Sequence, residues 1–556
     1  MRDSGIEEWR IKGFFRPLIF LIPQFPNHLS VKFMRILLIN SPYPVCESLT
    51  MPLGLLYLAA RLEEAGHQVV LEDIQLCRSP ISRVKKTLQR LNPGVVGITS
   101  FSLNLPVASK ILTAVKRLCP HAVTVWGGPH VSFDDEPILR NHPWVDAIIR
   151  GEGEETLLEV AEQVKRGGSF EGLLGITWRK PDGTLQRNPP RPFREDLDRL
   201  PRPAWHLLKL SQYRAFGDGA SMITSRGCPH RCVFCVGRKM IGASGRFRSP
   251  TAVVDEMEAL VKLGFRRIRV EDDLFTFRRD RALAICQELG HRGLSLAWRA
   301  YARVDTVDPD LLAWMRKTGC ERILFGAESG CPEILRRIRK GITPDQTRRA
   351  VEMTRRAGIG VLASFVLGLP GETPETLRQT LEFADSLQVP YSLNLLTPYV
   401  GTEIRERAAA WGIRILSNDW RFYGQGRPLT ATPEVGPWHL NRAVGRYHRS
   451  VRQYLKDLLE GEGRGILNKE QVEELDRHRH WNFLRRLIGE EILERFGSLP
   501  PGSDAKGITG LAKALSSPLG MPAEEVERHL DSHLRDGHIC VTQERKGGLR
   551  WIWAPS

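Results

Sequence analysis

The chain has 556 residues, 42% of them hydrophobic and 26% charged, which is the make-up of an ordinary soluble protein long enough for two or more domains. Its net charge of +16 is spread along the chain with no RNA-binding signature, so no nucleic-acid partner is expected. Seven of the ten cysteines are scattered singly, which is not a disulfide framework and points to a reducing, cytoplasmic setting, and no apolar run reaches the ~18 residues of a transmembrane segment.

Residues 1–33 read as an N-terminal extension ahead of a natural start at Met34, with a weak membrane-surface anchor as the alternative. From 34 to 166 short apolar strands alternate with helices. Strands are expected at 35–40, 68–72, 95–99, 122–126 and 146–149, and helices at 53–66, 80–91, 106–118 and 154–166. That alternation predicts a doubly wound parallel sheet, which binds ligands beyond the carboxyl ends of its strands. The loops there are Asn40-Ser41-Pro42, Thr99-Ser100-Phe101-Ser102, Gly127-Gly128-Pro129-His130 and Gly151-Glu152-Gly153-Glu154. Glycines allow close backbone approach, and four such loops in register suggest a nucleotide-like cofactor.

Residues 167–220 are proline-punctuated and read as an extended linker. A second strand–helix array spans 221–400, with six strands near 221–226, 266–271, 296–302, 321–327, 360–366 and 391–396. Thr343-Pro344 and Thr373-Pro374 place threonine at a helix N-cap and proline at the first turn. Six repeats with right-handed crossovers predict a partial (β/α)6 TIM-type barrel, its chemistry at the carboxyl ends of the strands. Residues 401–500 are mostly helical, and 501–556 read as a small winged-helix-like module.

Directly after the first barrel strand lies Thr224-Ser225-Arg226-Gly227-Cys228-Pro229-His230-Arg231-Cys232-Val233-Phe234-Cys235. Three thiolates spaced CxxxCxxC suit a soft metal or an iron–sulfur cluster, and three ligands leave one position open for chemistry. The alternative is a structural zinc site completed by His230 or a distant cysteine.

These residues resemble the cluster loop of radical S-adenosylmethionine (SAM) enzymes. Val270–Thr276, Ala302–Asp305, Phe325–Gly330 and Gly368–Thr373 sit where that family's barrel strands end. Pro52–Leu58, Gly127–His130 and Gly151–Glu154 resemble the cobalamin-binding domain that precedes the barrel in one large subgroup. The resemblance covers roughly 35–400. It implies an α/β chain in which a Rossmann-like cobalamin-binding domain is followed by the partial barrel. It also implies a 4Fe–4S cluster on Cys228, Cys232 and Cys235, whose open iron binds SAM and whose electron yields a 5′-deoxyadenosyl radical.

For SAM the resemblance implies Phe234 against the adenine and Glu271, Asp272 or Asp273 on the ammonium. Arg303 would face the carboxylate, Glu328 the ribose or amino acid, and Gly368 the turn under the adenine. The competing reading of Asp272 and Asp273 is helix capping, and of Arg303 an ordinary salt bridge. For cobalamin it implies Ser41, Ser100, Ser102, Gly127, Gly128, His130, Gly151 and Gly153. The familiar DxHxxG pattern is missing: Asp73-Ile74-Gln75-Leu76-Cys77-Arg78 puts Gln75 where a ligating histidine would be. His130 reads as structural. No residue is assigned a catalytic role of its own.

The partners implied are a small-molecule substrate and an electron donor such as flavodoxin or ferredoxin. The leading expectation is methylation of an unactivated carbon, followed by cyclisation or rearrangement without methyl transfer. A tRNA methylthiolase would need a second cysteine cluster upstream, and Cys46, Cys77 and Cys119 lie far apart. A cobalamin-binding sensor is the alternative from outside enzymology. Trp420, Phe422, Tyr423 and Trp438 are candidate substrate-lining residues.

Overall fold

The computed structural model describes residues 33–43, 49–424, 426–501, 508–544 and 548–555, so the expected extension lies outside the described residues apart from Phe33. The first sheet comprises β1 (Arg35–Asn40), β2 (Gln68–Asp73), β3 (Val95–Thr99), β4 (Val123–Gly127), β5 (Ala147–Ile149), β6 (Ile176–Arg179) and β7 (Leu185–Arg187). Its order is β2-β1-β3-β4-β5-β6-β7, parallel as far as β5. Strand β1 is apolar on both faces: Ile36 and Leu38 enter one core, Leu37 and Ile39 the other. Such burial on both sides is what helix-covered parallel strands require. The chain leaves β1 toward β2 and returns across it to β3, which opens a crevice at the β1–β3 switch point.

Strands β6 and β7 fall within the segment expected as a linker. They pair antiparallel on the sheet edge, joined through a turn containing Asp182-Gly183, and bury Ile176 and Trp178. The prolines on either side masked a short hairpin whose own signal is an Asp-Gly turn between apolar residues.

The barrel strands are β8 (Ala220–Met222), β9 (Ser225–Arg226), β10 (Arg246–Phe247), β11 (Arg267–Val270), β12 (Ala297–Ala302), β13 (Cys320–Glu328), β14 (Gly360–Leu367) and β15 (Tyr391–Leu395). The main sheet runs β15-β14-β13-β12-β11-β8, all parallel, an open six-stranded barrel wall. β9 breaks away from β8 and pairs antiparallel with β10, where a single first strand over 221–226 was expected. Outward residues such as Ile268, Trp298, Ile323 and Phe365 are buried against helices. Inward residues such as Arg269, Arg299, Tyr301, Ser364 and Asn394 are polar and only partly covered. The helices start as expected: Thr343 and Thr373 form capping boxes with proline in the first turn.

Residues 401–435 continue with short strands β16 (Arg414–Ile415) and β17 (Thr430–Ala431). Helices Pro437–Gly463 and Lys469–Gly489 follow, then β18 (Ser498–Leu499), helices Thr509–Leu519 and Ala523–Arg535, and β19 (Ile539–Gln543) with β20 (Leu549–Trp553). One apolar core runs from the first sheet through the barrel to Leu511, Leu515 and Trp551, so these parts form one packed body. Among the described residues no helix is long and apolar enough to cross a membrane.

Four histidines meet where the C-terminal unit packs on the chain leading into the barrel. His480 Nδ1 lies 3.4 Å from His529 Nδ1, and His533 Nδ1 lies 3.1 Å from His538 Nδ1. His480 Nε2 reaches the Ala215 carbonyl at 3.4 Å. Burial pushes His529 down to about 4 and His533 to about 3, and lowers His480 and His538 as well. Asp476 and Asp536 partly offset this, while Arg214, Arg479 and Arg528 add to it. The unfolded chain therefore takes up protons that the folded one resists. Stability is full above a pH of about 6.5 and falls as pH drops toward the folded-state values. Circular-dichroism melts are expected to show the C-terminal unit unfolding several degrees earlier at pH 5 than at pH 7.5, a difference that His529→Phe should shrink.

Candidate active site

The cluster loop is gripped at its base. Thr224 N and Oγ1 donate to Asp272 at 2.5 Å each, and Ser225 N and Oγ at 3.1 and 2.6 Å. Asp272 is buried, with its carboxylate taken up by these four donors, so it fixes the loop rather than receiving a ligand ammonium or capping a helix. Arg281 Nη2 donates to the Thr224 carbonyl at 2.6 Å, and burial lowers this guanidinium to about 10. Gly227 has φ 105°, and a Cβ there would lie 2.2 Å from the Ser244 carbonyl oxygen, so only glycine turns the chain into the loop. Val233 is buried and anchors the middle of the loop: its N–H donates to the Ile338 carbonyl at 3.2 Å and its carbonyl accepts from Ile404 N at 3.1 Å.

The thiols flank that anchor, with Cys232 Sγ 3.9 Å from the Arg339 carbonyl oxygen, next to the Ile338 contact. Gly237 N–H donates to Cys235 Sγ at 3.3 Å, a contact that favours a thiolate. Solvent reaches Cys235, yet surrounding protein pushes its thiol up to about 11, and burial also raises Cys228 and Cys232. Among the described residues no three His, Cys, Asp or Glu side chains converge as a ready metal nest. The donor set itself, three soft ligands and an N–H···S contact, fits a cluster whose binding supplies the deprotonation and gathers the thiols.

Around the loop lie the strand ends. Asp273 has no ion pair; burial and the adjacent Asp272 charge raise it to about 6. Glu328 ends β13 with φ 63°, beside a register shift after Gly326. A non-glycine residue in this conformation is strained, and such strain is retained where geometry is needed. It directs Glu328 Oε1 to Lys340 Nζ at 2.7 Å, both buried. A Cβ at Gly326 would lie 2.5 Å from Glu328 Oε1 and 2.8 Å from Lys340 Nζ. Arg303 is held by both oxygens of Asp305 at 2.9 Å, the salt-bridge alternative rather than a free carboxylate binder. Glu271 pairs with Arg269 at 2.7 Å on the inner wall. Phe234 is half-buried against the core. Gly368 has φ 87° and its N–H donates to Glu372 at 2.6 Å, a buried carboxyl raised to about 8, so this turn is internally braced.

Beyond β1, β3, β4 and β5 opens a cleft of ≈ 760 Å³ lined by Asn40, Gln75, Thr99, Gly127, Gly128, Gly151, Gly153 and apolar side chains. Gly54 and Gly151 face open space where a Cβ would intrude, and Gly128, with φ 111°, would drive one to 2.4 Å from the Ser100 carbonyl oxygen. A glycine-edged, apolar crevice at a switch point fits a large nucleotide-tailed cofactor. Ser41, Ser100, Ser102 and His130 do not line it. Ser41 is fully buried, Ser100 Oγ accepts from Trp126 Nε1 at 2.8 Å, and Ser102 Oγ bonds His130 Nδ1 at 2.8 Å. These residues support the loop from behind, because a short serine beneath a glycine turn finds backbone and ring partners first. Gln75 is clamped to the Thr50 carbonyl at 2.8 Å and to Asp73 at 3.0 Å.

Cleft and cluster loop share a wall. Arg226, two residues before Cys228, lines the cleft with Met240 and Ile241 from the turn after Cys235. Its guanidinium forks onto Glu152 at 3.0 Å and Glu154 at 2.7 Å, and Arg246 adds a pair to Glu152 at 2.8 Å. Burial works against the Glu152 charge, yet Arg226 and Arg246 hold its carboxyl below the usual range. Sequence reasoning read GEGE for its glycines and missed its carboxylates.

A sequence family described as the Radical SAM superfamily matches residues 222–384, and one described as the B12 binding domain matches 45–161. An uncharacterized methyltransferase of Pyrococcus horikoshii is 34% identical over 445 residues, 78% of this chain and 96% of the relative. The chain belongs to the cobalamin-dependent radical SAM enzymes. SAM and cobalamin are therefore its cofactors, with the 4Fe–4S cluster of radical SAM chemistry. An anaerobic magnesium-protoporphyrin IX monomethyl ester cyclase of Rubrivivax gelatinosus is 33% identical, covering 60% of this chain and 61% of the relative. The solved structure of the cobalamin-dependent SAM radical enzyme OxsB, with aqua-cobalamin and SAM bound, has the same fold. It superposes with a TM-score of 0.67 at 18% identity, over 91% of this radical SAM enzyme and 80% of that chain.

Of the aromatic residues expected to line a substrate site, Trp420 and Tyr423 pack away from the cleft. Trp420 packs on His130 at 4.4 Å and on Tyr423 at 4.6 Å, Tyr423 is buried, and Trp438 is 63% exposed. The segment carrying them straps the barrel to the cobalamin side, where Gly424 joins the cleft wall. Lys340 was missed too, since its partner is twelve residues away across a loop. Lys340→Met strands the Glu328 carboxylate in a buried site. It is expected to cost ~3–5 kcal/mol in urea unfolding, most of which Glu328→Gln in the same chain should restore.

Proposed function

We propose that this enzyme methylates an unactivated carbon of a small molecule. The observation that carries the reading is the 34% identity to a relative named as a methyltransferase over 96% of that relative's length. The shared wall between cleft and cluster loop supports it, since methyl transfer needs both cofactors at one substrate.

In this reading Cys228, Cys232 and Cys235 hold the cluster and the Gly237 N–H stabilises the third thiolate. Asp273 receives the SAM ammonium, being among the described residues the strand-end carboxylate with neither the ion pair of Glu271 nor the four donors of Asp272. Glu328 and Lys340 present a fixed dipole to the polar end of SAM, and Phe234 and the Gly368 turn face its adenine. Gly127, Gly128, Gly151 and Gly153 admit cobalamin, and Gln75, held by Thr50 and Asp73, keeps that loop closed without offering an imidazole. When bound, these groups supply one-electron cleavage of SAM and a transferable methyl group. The electron comes from a flavodoxin- or ferredoxin-like donor, and the setting is the cytoplasm.

The similarity to the anaerobic cyclase favours a second reading, in which the cofactors are the same and no methyl is transferred. Anaerobic reconstitution with iron, sulfide and hydroxocobalamin, followed by reduction with methyl-labelled SAM, separates the two. Methyl transfer predicts 5′-deoxyadenosine together with S-adenosylhomocysteine, whereas cyclisation predicts 5′-deoxyadenosine alone. The triple replacement of Cys228, Cys232 and Cys235 by Ala should abolish 5′-deoxyadenosine in either case. Unchanged 5′-deoxyadenosine in that variant would overturn the cluster assignment, and cobalamin binding with no product from the wild type would favour a sensor role.

A further inference from the structure

Arg226 belongs to both halves of the site. Its backbone lies in β9, two residues before Cys228, and its side chain lines the cleft. Two bonded routes leave the 151–154 loop for the thiols. In the first, Glu152 and Glu154 hold the Arg226 fork at 3.0 and 2.7 Å, and β9 leads through Gly227 to Cys228. In the second, Glu152 pairs with Arg246 at 2.8 Å. Arg246 Nη2 donates to the Ile241 carbonyl at 2.6 Å, and Ile241 closes the short helix whose first residue, Gly237, donates to Cys235 Sγ.

The members are 11% exposed or less as side chains, so solvent does not loosen them: Arg226 11%, Glu152 11%, Glu154 9% and Arg246 2%. Arg246 also lies over the Phe193 ring at 4.8 Å and donates to the Arg194 carbonyl at 2.8 Å. Gly151 at φ 73° and Gly227 at φ 105° flank the fork, each in a left-handed turn that glycine adopts without strain.

We propose that Arg226 is a positioning residue that couples occupancy of the cobalamin cleft to the arrangement of the cluster thiols. The inference rests on the reading of that cleft as the cobalamin site. A ligand seated against Glu152 and Glu154 sets the fork, and the fork sets where β9 delivers Cys228. An arginine is suited to this because its planar fork fixes two carboxylates in one orientation, which a lysine cannot do.

The test uses the cluster-free full chain under anaerobic conditions. Iodoacetamide alkylation of Cys228, Cys232 and Cys235 is followed by mass spectrometry with and without saturating hydroxocobalamin, and Cys540 serves as a remote reference. Cobalamin binding is read separately from its visible absorbance. In the wild type, cobalamin should change alkylation at Cys228 and Cys235 by about fivefold or more, the scale of a modest coupling. In Arg226→Gln, with hydroxocobalamin raised until the visible absorbance shows the cleft filled, that change should disappear. Arg226→Lys should keep part of it, and the isosteric Glu154→Gln, which takes the charge from one arm of the fork, should reduce it even if the arginine variant folds poorly. A wild type that binds hydroxocobalamin with no change in thiol reactivity would overturn the coupling alone. So would an undiminished change in Arg226→Gln and Glu154→Gln. A wild type that does not bind hydroxocobalamin would overturn the reading of the cleft, and the coupling with it.

Discussion

The contact on which the site depends is the buried fork of Arg226 on Glu152 and Glu154. Taking charges out of water costs more than a pair usually returns, so such a contact is a poor source of stability. Here two carboxylates meet two guanidinium groups, Arg226 and Arg246, and backbone groups of Arg194 and Ile241 fill remaining positions. What the arrangement supplies is orientation. An apolar seam between the first sheet and the barrel would tolerate sliding; a planar guanidinium between two fixed carboxylates does not. Because Arg226 precedes Cys228 so closely, the orientation of the whole interface becomes the orientation of the cluster loop.

The barrel meets a related problem at the other end of the loop. Thiols that must bind metal cannot be packed away, yet a loop that carries them cannot be slack. The chain solves this by alternation. Asp272 fixes the loop's first residues, Val233 pins its middle between Ile338 and Ile404, and the cysteines around that anchor stay partly or fully open to solvent. The strained Glu328 extends the same logic to the next strand end. Its left-handed backbone and the bare Gly326 beside it let Lys340 fold across β13, so a charge from a distant loop stands at the barrel mouth.

Much of this was legible in the sequence because its signals are local. Period-two and helical patterns, threonine–proline N-caps and the CxxxCxxC spacing each lie within a dozen residues, and they place β1 to β5 and β11 to β15 within about two residues at each end, while the first barrel strand, expected over 221–226, already ends at Met222. The misses are contacts between distant segments. Asp272 reads as a free strand-end acid until Thr224 and Ser225 are brought over it, 48 and 47 residues away. Ser41, Ser100 and Ser102 read as cofactor contacts because they sit in the right loops, but a loop has two sides and only packing decides which one faces the cleft; His130, which read as structural, is held by Ser102 and Trp420. The hairpin β6–β7 was hidden by surrounding prolines, although its Asp182-Gly183 turn was in view.

The C-terminal region shows why position in the chain is a weak guide to role. Its aromatic residues suggested a substrate wall, but Trp420 and Tyr423 close against His130 and the back of the cobalamin side. Farther on, Arg83 reaches Glu491 at 3.0 Å, Arg78 reaches Glu490 at 3.0 Å and Lys209 reaches Glu494 at 2.9 Å. Surface pairs of this kind add little stability singly. They matter here because Leu511, Leu515 and Trp551 already share the core that runs through the barrel and the first sheet. With the apolar contact fixed, the charged pairs select one register for it. The region therefore braces the segment after β2 and the chain leading into β8. With that register set, the shared core and the Arg226 fork hold the cleft and the cluster loop to one another, and Gly151 and Gly227, both at positive φ, make the turns on either side of the fork.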